Sequence, residues 1–132
     1  MLRVKLKRLE GWNRARREIA QRYRSAFSGL SRLRCLGKLP DREHAYHLFV
    51  LASGERDSFR SHLESKEVGS QIHYPVPVHL TGAFGHLDLP AGSFPVAEKL
   101  CSEVVSIPLF PELTRPEMDQ VVEAVASFEP EV

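Results

Sequence analysis

Between residues 2 and 30 the apolar positions recur every three or four residues: Leu2, Leu6, Leu9, Trp12, Ile19, Tyr23, Ala26, Phe27 and Leu30. That period predicts one long amphipathic helix with Gly29 as its stop signal and a possible bend near Gly11. Residues 31–43 have no period and read as a loop. HAYHLFVLA (44–52) is a run of aromatic and aliphatic residues without a breaker and predicts a central strand. In SGERDSFRSHLESKEV (53–68), Phe59 and Leu63 share a helical face, and Glu55 and Asp57 stand in the first turn where the helix dipole favours acids. SQIHYPV predicts a second short strand, running into the segment stiffened by Pro75 and Pro77.

Residues 80–93 are punctuated by Gly and Pro and read as loop. FPVAEKLCSEVV (94–105) predicts a helix with Pro95 in its first turn and Val96, Leu100 and Val104 on one face. A third strand is expected around residues 105–108. The final helix has the clearest start: Thr114 and Glu117 form a capping box, followed by Met118, Val121, Val122, Val125 and Phe128 on one face. The predicted fold class is α+β (α/β), a long N-terminal helix plus a small, mostly antiparallel sheet covered by helices.

The chain has 132 residues, 42% hydrophobic and 27% charged, which suits one soluble domain with a modest core. It has no apolar run of span length and no signal-peptide pattern, so a cytoplasmic protein with no membrane contact is expected. Net charge is only +1, yet residues 1–34 carry eleven of the eighteen Lys and Arg against two of the seventeen acids, +9 there and −8 elsewhere. Such a basic helix could meet nucleic acid, anionic lipid or an acidic protein surface. Trp12 and Tyr23 fall on the apolar stripe rather than the basic face, which argues against stacking on bases, so no nucleic-acid partner is expected.

Cys35 and Cys101 form neither a disulfide framework nor a zinc knuckle. His44 and His47, three apart in a predicted strand, would face opposite sides. HYPVPVH (73–79) brings His73, Tyr74 and His79 into one short stretch, but no Cys, Asp or Glu lies inside it to complete a metal set. Hydrogen-bonded histidines at a sheet edge and substrate-facing side chains are both open readings of it. No serine elbow, phosphate loop or dinucleotide fingerprint occurs.

Several segments together carry a resemblance: LRVKLKRLEGWNRARREIAQRY (2–23), HAYHLFVL (44–51), ERDSFRSHLE (55–64), HYPVPVHL (73–80), FPVAEKLCSEVVSIPLFPELT (94–114) and VVEAV (121–125). In this order they resemble the C-terminal part of the DegT/DnrJ/StrS-type sugar aminotransferases, pyridoxal-phosphate (PLP) enzymes of the aspartate aminotransferase fold. The resemblance implies an interdomain-type helix (1–30) and a small C-terminal domain (31–132), with the large PLP-binding domain absent. It implies amino transfer to a nucleotide-linked keto-sugar in the intact family, and a fragment or split subunit here that is not catalytic alone. The alternative is a standalone binding or interaction module that kept the domain and lost the chemistry.

By the same resemblance, His73, Tyr74 and His79 match the cleft-side motif and become the substrate-binding candidates. No catalytic, metal or cofactor-binding residue is expected in this chain, and Lys5, Lys7, Lys38, Lys66 and Lys99 match no cofactor-lysine motif. Thr81 and Glu67-Val68-Gly69-Ser70 depart from the family pattern at the motif's borders. A homo-oligomer, or a complementary chain carrying the PLP domain, is the expected partner.

Overall fold

The structure, a computed structural model, describes residues 2–128; Met1, residues 129–132 and the side chain of Leu2 lie outside the described set. Helix α1 (Leu2–Phe27) leads into strand β1 (Leu33–Cys35), strand β2 (Phe49–Ser53) and helix α2 (Arg56–Ser65). Two short 3₁₀ segments, Val78–Leu80 and Gly82–Leu87, precede helix α3 (Pro95–Glu103), strand β3 (Val104–Ile107) and helix α4 (Arg115–Ala126). The sheet is antiparallel in the order β1-β2-β3, with Leu33 opposite Ser53 and Phe49 opposite Ile107. The α+β expectation and the central position of β2 both hold.

The apolar stripe of α1 splits into two halves. Its C-terminal half buries Ile19, Ala20, Tyr23 and Phe27, spaced to face the sheet and α4. Ala20 takes the place expected of Ala26, which is exposed. The N-terminal half is uncovered: Val4 is 69% exposed, Leu6 62% and Leu9 43%. Tyr23 is the centre of the core, stacked on Phe27 at 5.6 Å and edge-on to Phe49 at 5.3 Å. Its hydroxyl donates to the Pro108 carbonyl at 3.1 Å, and burial pushes the phenol pKa up.

Helices α2 and α4 complete the same core. Phe59 and Leu63 are fully buried, and Phe59 meets Phe128 with ring centroids 5.0 Å apart. The capping box is present, with Glu117 accepting from the Thr114 backbone N–H at 2.7 Å. The basic segment meets acids of its own chain: Arg17 pairs with Glu10 and Glu43, Arg22 with Asp119, Arg32 with Glu55 and Arg34 with Glu103. These are partly exposed pairs, each worth little alone.

Several expectations are corrected. Strand β1 lies inside the expected 31–43 loop, because three residues pairing with β2 are too few to leave an alternating pattern. The 44–52 strand begins only at Phe49: Tyr46 has φ 48°, and its N–H donates to His44 Nδ1 at 2.8 Å, which turns the chain before the ladder starts. His44 and His47 are therefore loop residues, not opposite faces of a strand. SQIHYPV forms no strand, only a single bridge between Gln71 and Ser106, since the prolines that follow have no N–H to extend it. The 80–93 loop contains the second 3₁₀ segment. Helix α3 buries none of its residues: Val96 is 73% exposed, and the buried Val104 belongs to β3 rather than to the helix face.

Thr114→Ala should lower the unfolding free energy by about 1 kcal/mol through loss of the cap. Phe59→Ala, emptying a fully buried ring site, should cost about 3–5 kcal/mol. Urea unfolding of the two variants beside the parent would show this ranking.

Candidate functional site

HYPVPVH leaves the sheet edge after the Gln71–Ser106 bridge and crosses toward α3. The His73–Tyr74 peptide is cis. With Pro75 and Pro77 restricting their own backbone, this segment forms one wall of an open apolar groove of about 470 Å³. Tyr74, Val78 and His79 face Phe84, Phe94 and Cys101 across it. Tyr74 is 72% exposed, so its hydroxyl is free to meet a ligand.

His79 is held inside the wall. Its Nε2 lies 3.1 Å from Glu98 Oε1, and its ring meets Phe94 edge-on at 4.8 Å. The same carboxylate accepts from the Gly92 N–H at 2.8 Å and the Phe94 N–H at 3.1 Å. Three donors thus converge on Glu98, and its pKa falls below the usual carboxylate value, chiefly through the Gly92 and Phe94 N–H groups and then His79. Gly92 has φ +92°, a backbone an L side chain rarely adopts, and that turn aims its N–H at the carboxylate.

His73 is separate. Its Nδ1 lies 3.0 Å from the Ser106 hydroxyl, and it lines a smaller recess of about 160 Å³ with His47, Ser106 and Leu109. The three sequence candidates therefore divide: Tyr74 and His79 share the groove, and His73 stands at the sheet edge with its ring 5.5 Å from that of Tyr74.

Sequence reasoning missed Glu98 and Ser106. Glu98 carried a signal, an acid in the first turn of a helix opened by Pro95. Ser106 carried a fainter one, a hydroxyl inside an otherwise apolar strand. Both cysteines are free, and burial raises the Cys35 thiol pKa against the opposing charge of Arg24. Among the described residues no three His, Cys, Asp or Glu are grouped to hold a metal, and no helix is long and apolar enough to cross a membrane.

With this geometry in place, comparison with known proteins is decisive. The model of the DegT/DnrJ/EryC1/StrS aminotransferase family matches residues 1–126. The chain belongs to this family. It is similar to the erythromycin biosynthesis sensory transduction protein EryC1 of Saccharopolyspora erythraea, at 43% identity over 92% of this chain and 33% of that protein. It is also similar to the dTDP-3-amino-3,4,6-trideoxy-alpha-D-glucose transaminase of Streptomyces venezuelae, at 38% identity over 97% of this chain and 34% of that one. Among solved structures, S. venezuelae DesV in complex with a ketimine intermediate matches with a TM-score of 0.90 and 39% identity, covering 94% of this chain and 33% of DesV. The chain spans about a third of the length of the curated relatives it matches.

The family is PLP-dependent, but the residues described here do not by themselves fit the cofactor. A Schiff-base lysine needs a desolvated amine, and all five lysines are exposed. Lys99, the one nearest the groove in sequence, is 73% exposed and paired with Glu103. The best-held carboxylate, Glu98, is already engaged by three donors.

Because the folded-state pKa of Glu98 is depressed, the stability it contributes is present above the ordinary carboxylate pKa and is lost as pH falls through the lower folded value. Glu98→Gln should flatten this loss between about pH 3 and 5. Chemical denaturation across that range, with the parent as control, measures it.

Proposed function

We propose that this chain is a working part of a PLP-dependent sugar aminotransferase, comprising the interdomain-type helix (residues 1–30) and the small domain (31–132). In this reading it is not catalytic alone. It acts in the cytoplasm with a second copy of itself, or with a chain that supplies the cofactor-binding portion. The assembled enzyme transfers an amino group to a nucleotide-linked keto-sugar.

The observation that carries the reading is the match to DesV, with a TM-score of 0.90 at 39% identity over 94% of the chain. Tyr74 on the open groove and His73 beside it suit contacts to a polar, phosphate-bearing substrate, and His79 acts from within the wall. The prolines between them limit the conformational entropy lost when a ligand docks.

A second reading is a binding module without transaminase chemistry. The name of one relative favours it, the "Pleiotropic regulatory protein" of Geobacillus stearothermophilus, 33% identical over 97% of this chain.

One experiment separates the two. The chain is mixed with the remainder of the S. venezuelae transaminase, expressed without its matching third, and amino transfer to the dTDP-linked keto-sugar is followed. Activity in the mixture and in neither part alone supports the enzyme reading; a stable, inactive complex supports the module. In an active mixture Tyr74→Phe should raise KM about tenfold, the cost of roughly one hydrogen bond to a charged group.

A further inference from the structure

Ser106 is a buried polar side chain in a strand whose four residues are all buried. Its backbone groups are spent: its N–H donates to the Gln71 carbonyl at 2.7 Å, and its own carbonyl accepts from the Gln71 N–H at 3.1 Å. On the other side of the strand register, Val50 pairs with it from β2. The hydroxyl is thus held in place by its strand, and among the described residues its hydrogen-bond partner is His73 Nδ1 at 3.0 Å.

Two arrangements of this pair are chemically possible. If His73 Nδ1–H donated to the hydroxyl, the Ser106 O–H would have no acceptor among the described residues. If the hydroxyl donates to a bare Nδ1, that donor is satisfied, and only oxygen lone pairs go without a partner. An orphaned buried donor is the costlier outcome. A neutral imidazole carries one N–H, so a bare Nδ1 puts the proton on Nε2. Nε2 makes no hydrogen bond among the described residues.

We propose that Ser106 is a positioning residue that fixes His73 as the Nε2–H tautomer, making its free nitrogen a hydrogen-bond donor rather than a base. The group it would meet is an acceptor oxygen, as on a phosphate or carbonyl. This last step rests on the proposed reading of His73 as a substrate-side residue; the tautomer itself does not.

The test uses the 132-residue chain, labelled with nitrogen-15, at a pH where the imidazoles are neutral. Long-range proton–nitrogen correlation spectra report which ring nitrogen is protonated, with His73 assigned by the peak lost in His73→Gln. The parent should show His73 with Nδ1 bare and Nε2 protonated. Ser106→Ala should draw both nitrogen shifts toward an average as the tautomers mix, and Ser106→Thr should restore the parent pattern. A parent spectrum with Nδ1 protonated overturns the proposal, and that spectrum decides even if Ser106→Ala fails to fold. An unchanged single tautomer in a folded Ser106→Ala overturns it equally. No ligand is present, so failure of the aminotransferase reading would leave this result untouched.

Discussion

The structure depends on Tyr23. From the C-terminal half of α1 its ring packs against both Phe27 and Phe49, and its hydroxyl reaches the carbonyl of Pro108 just beyond β3. One side chain therefore ties the long helix to the central strand and to the end of its neighbour. A phenol can be fully buried there only because its single polar group finds an acceptor. With α1 anchored at that end, its first half runs out free of the core, and Val4, Leu6 and Leu9 stand uncovered.

The same economy governs the candidate site. Helix α3 contributes no buried residue, so the groove wall is not held by apolar packing behind it. It is held by charge-assisted hydrogen bonds. Glu98 gathers the Gly92 and Phe94 N–H groups and the His79 ring, tying the turn before α3 to the proline segment opposite. At the other end, the Gln71–Ser106 bridge brings His73 to the sheet edge. Two polar anchors and two prolines shape a wall whose outer face stays apolar and open, as suits a surface that meets a ligand or another part of an enzyme.

Much of this was legible in advance. The helix periods placed α1, α2 and α4 with their buried faces Tyr23–Phe27, Phe59–Leu63 and Val121–Val125, because amphipathic spacing is a local property. Combined motifs such as HYPVPVH and FPVAE pointed to the aminotransferase family. The errors fell where a residue's state depends on a distant partner. HAYH looked like strand by composition, yet Tyr46 takes a left-handed backbone next to His44. Val96 looked like a core position on α3 and is 73% exposed.

The sequence by itself determined the helix periods and the capping box, which follow from neighbours within a few residues, and the family, which rests on six segments spread along the chain. Only the tertiary structure decided what those residues do. It separated His73 from His79 and gave each its own anchor, Ser106 33 positions away and Glu98 19 positions away. Hydrogen bonds of that reach leave no period in a sequence, since both partners are selected by where the folded backbone carries them.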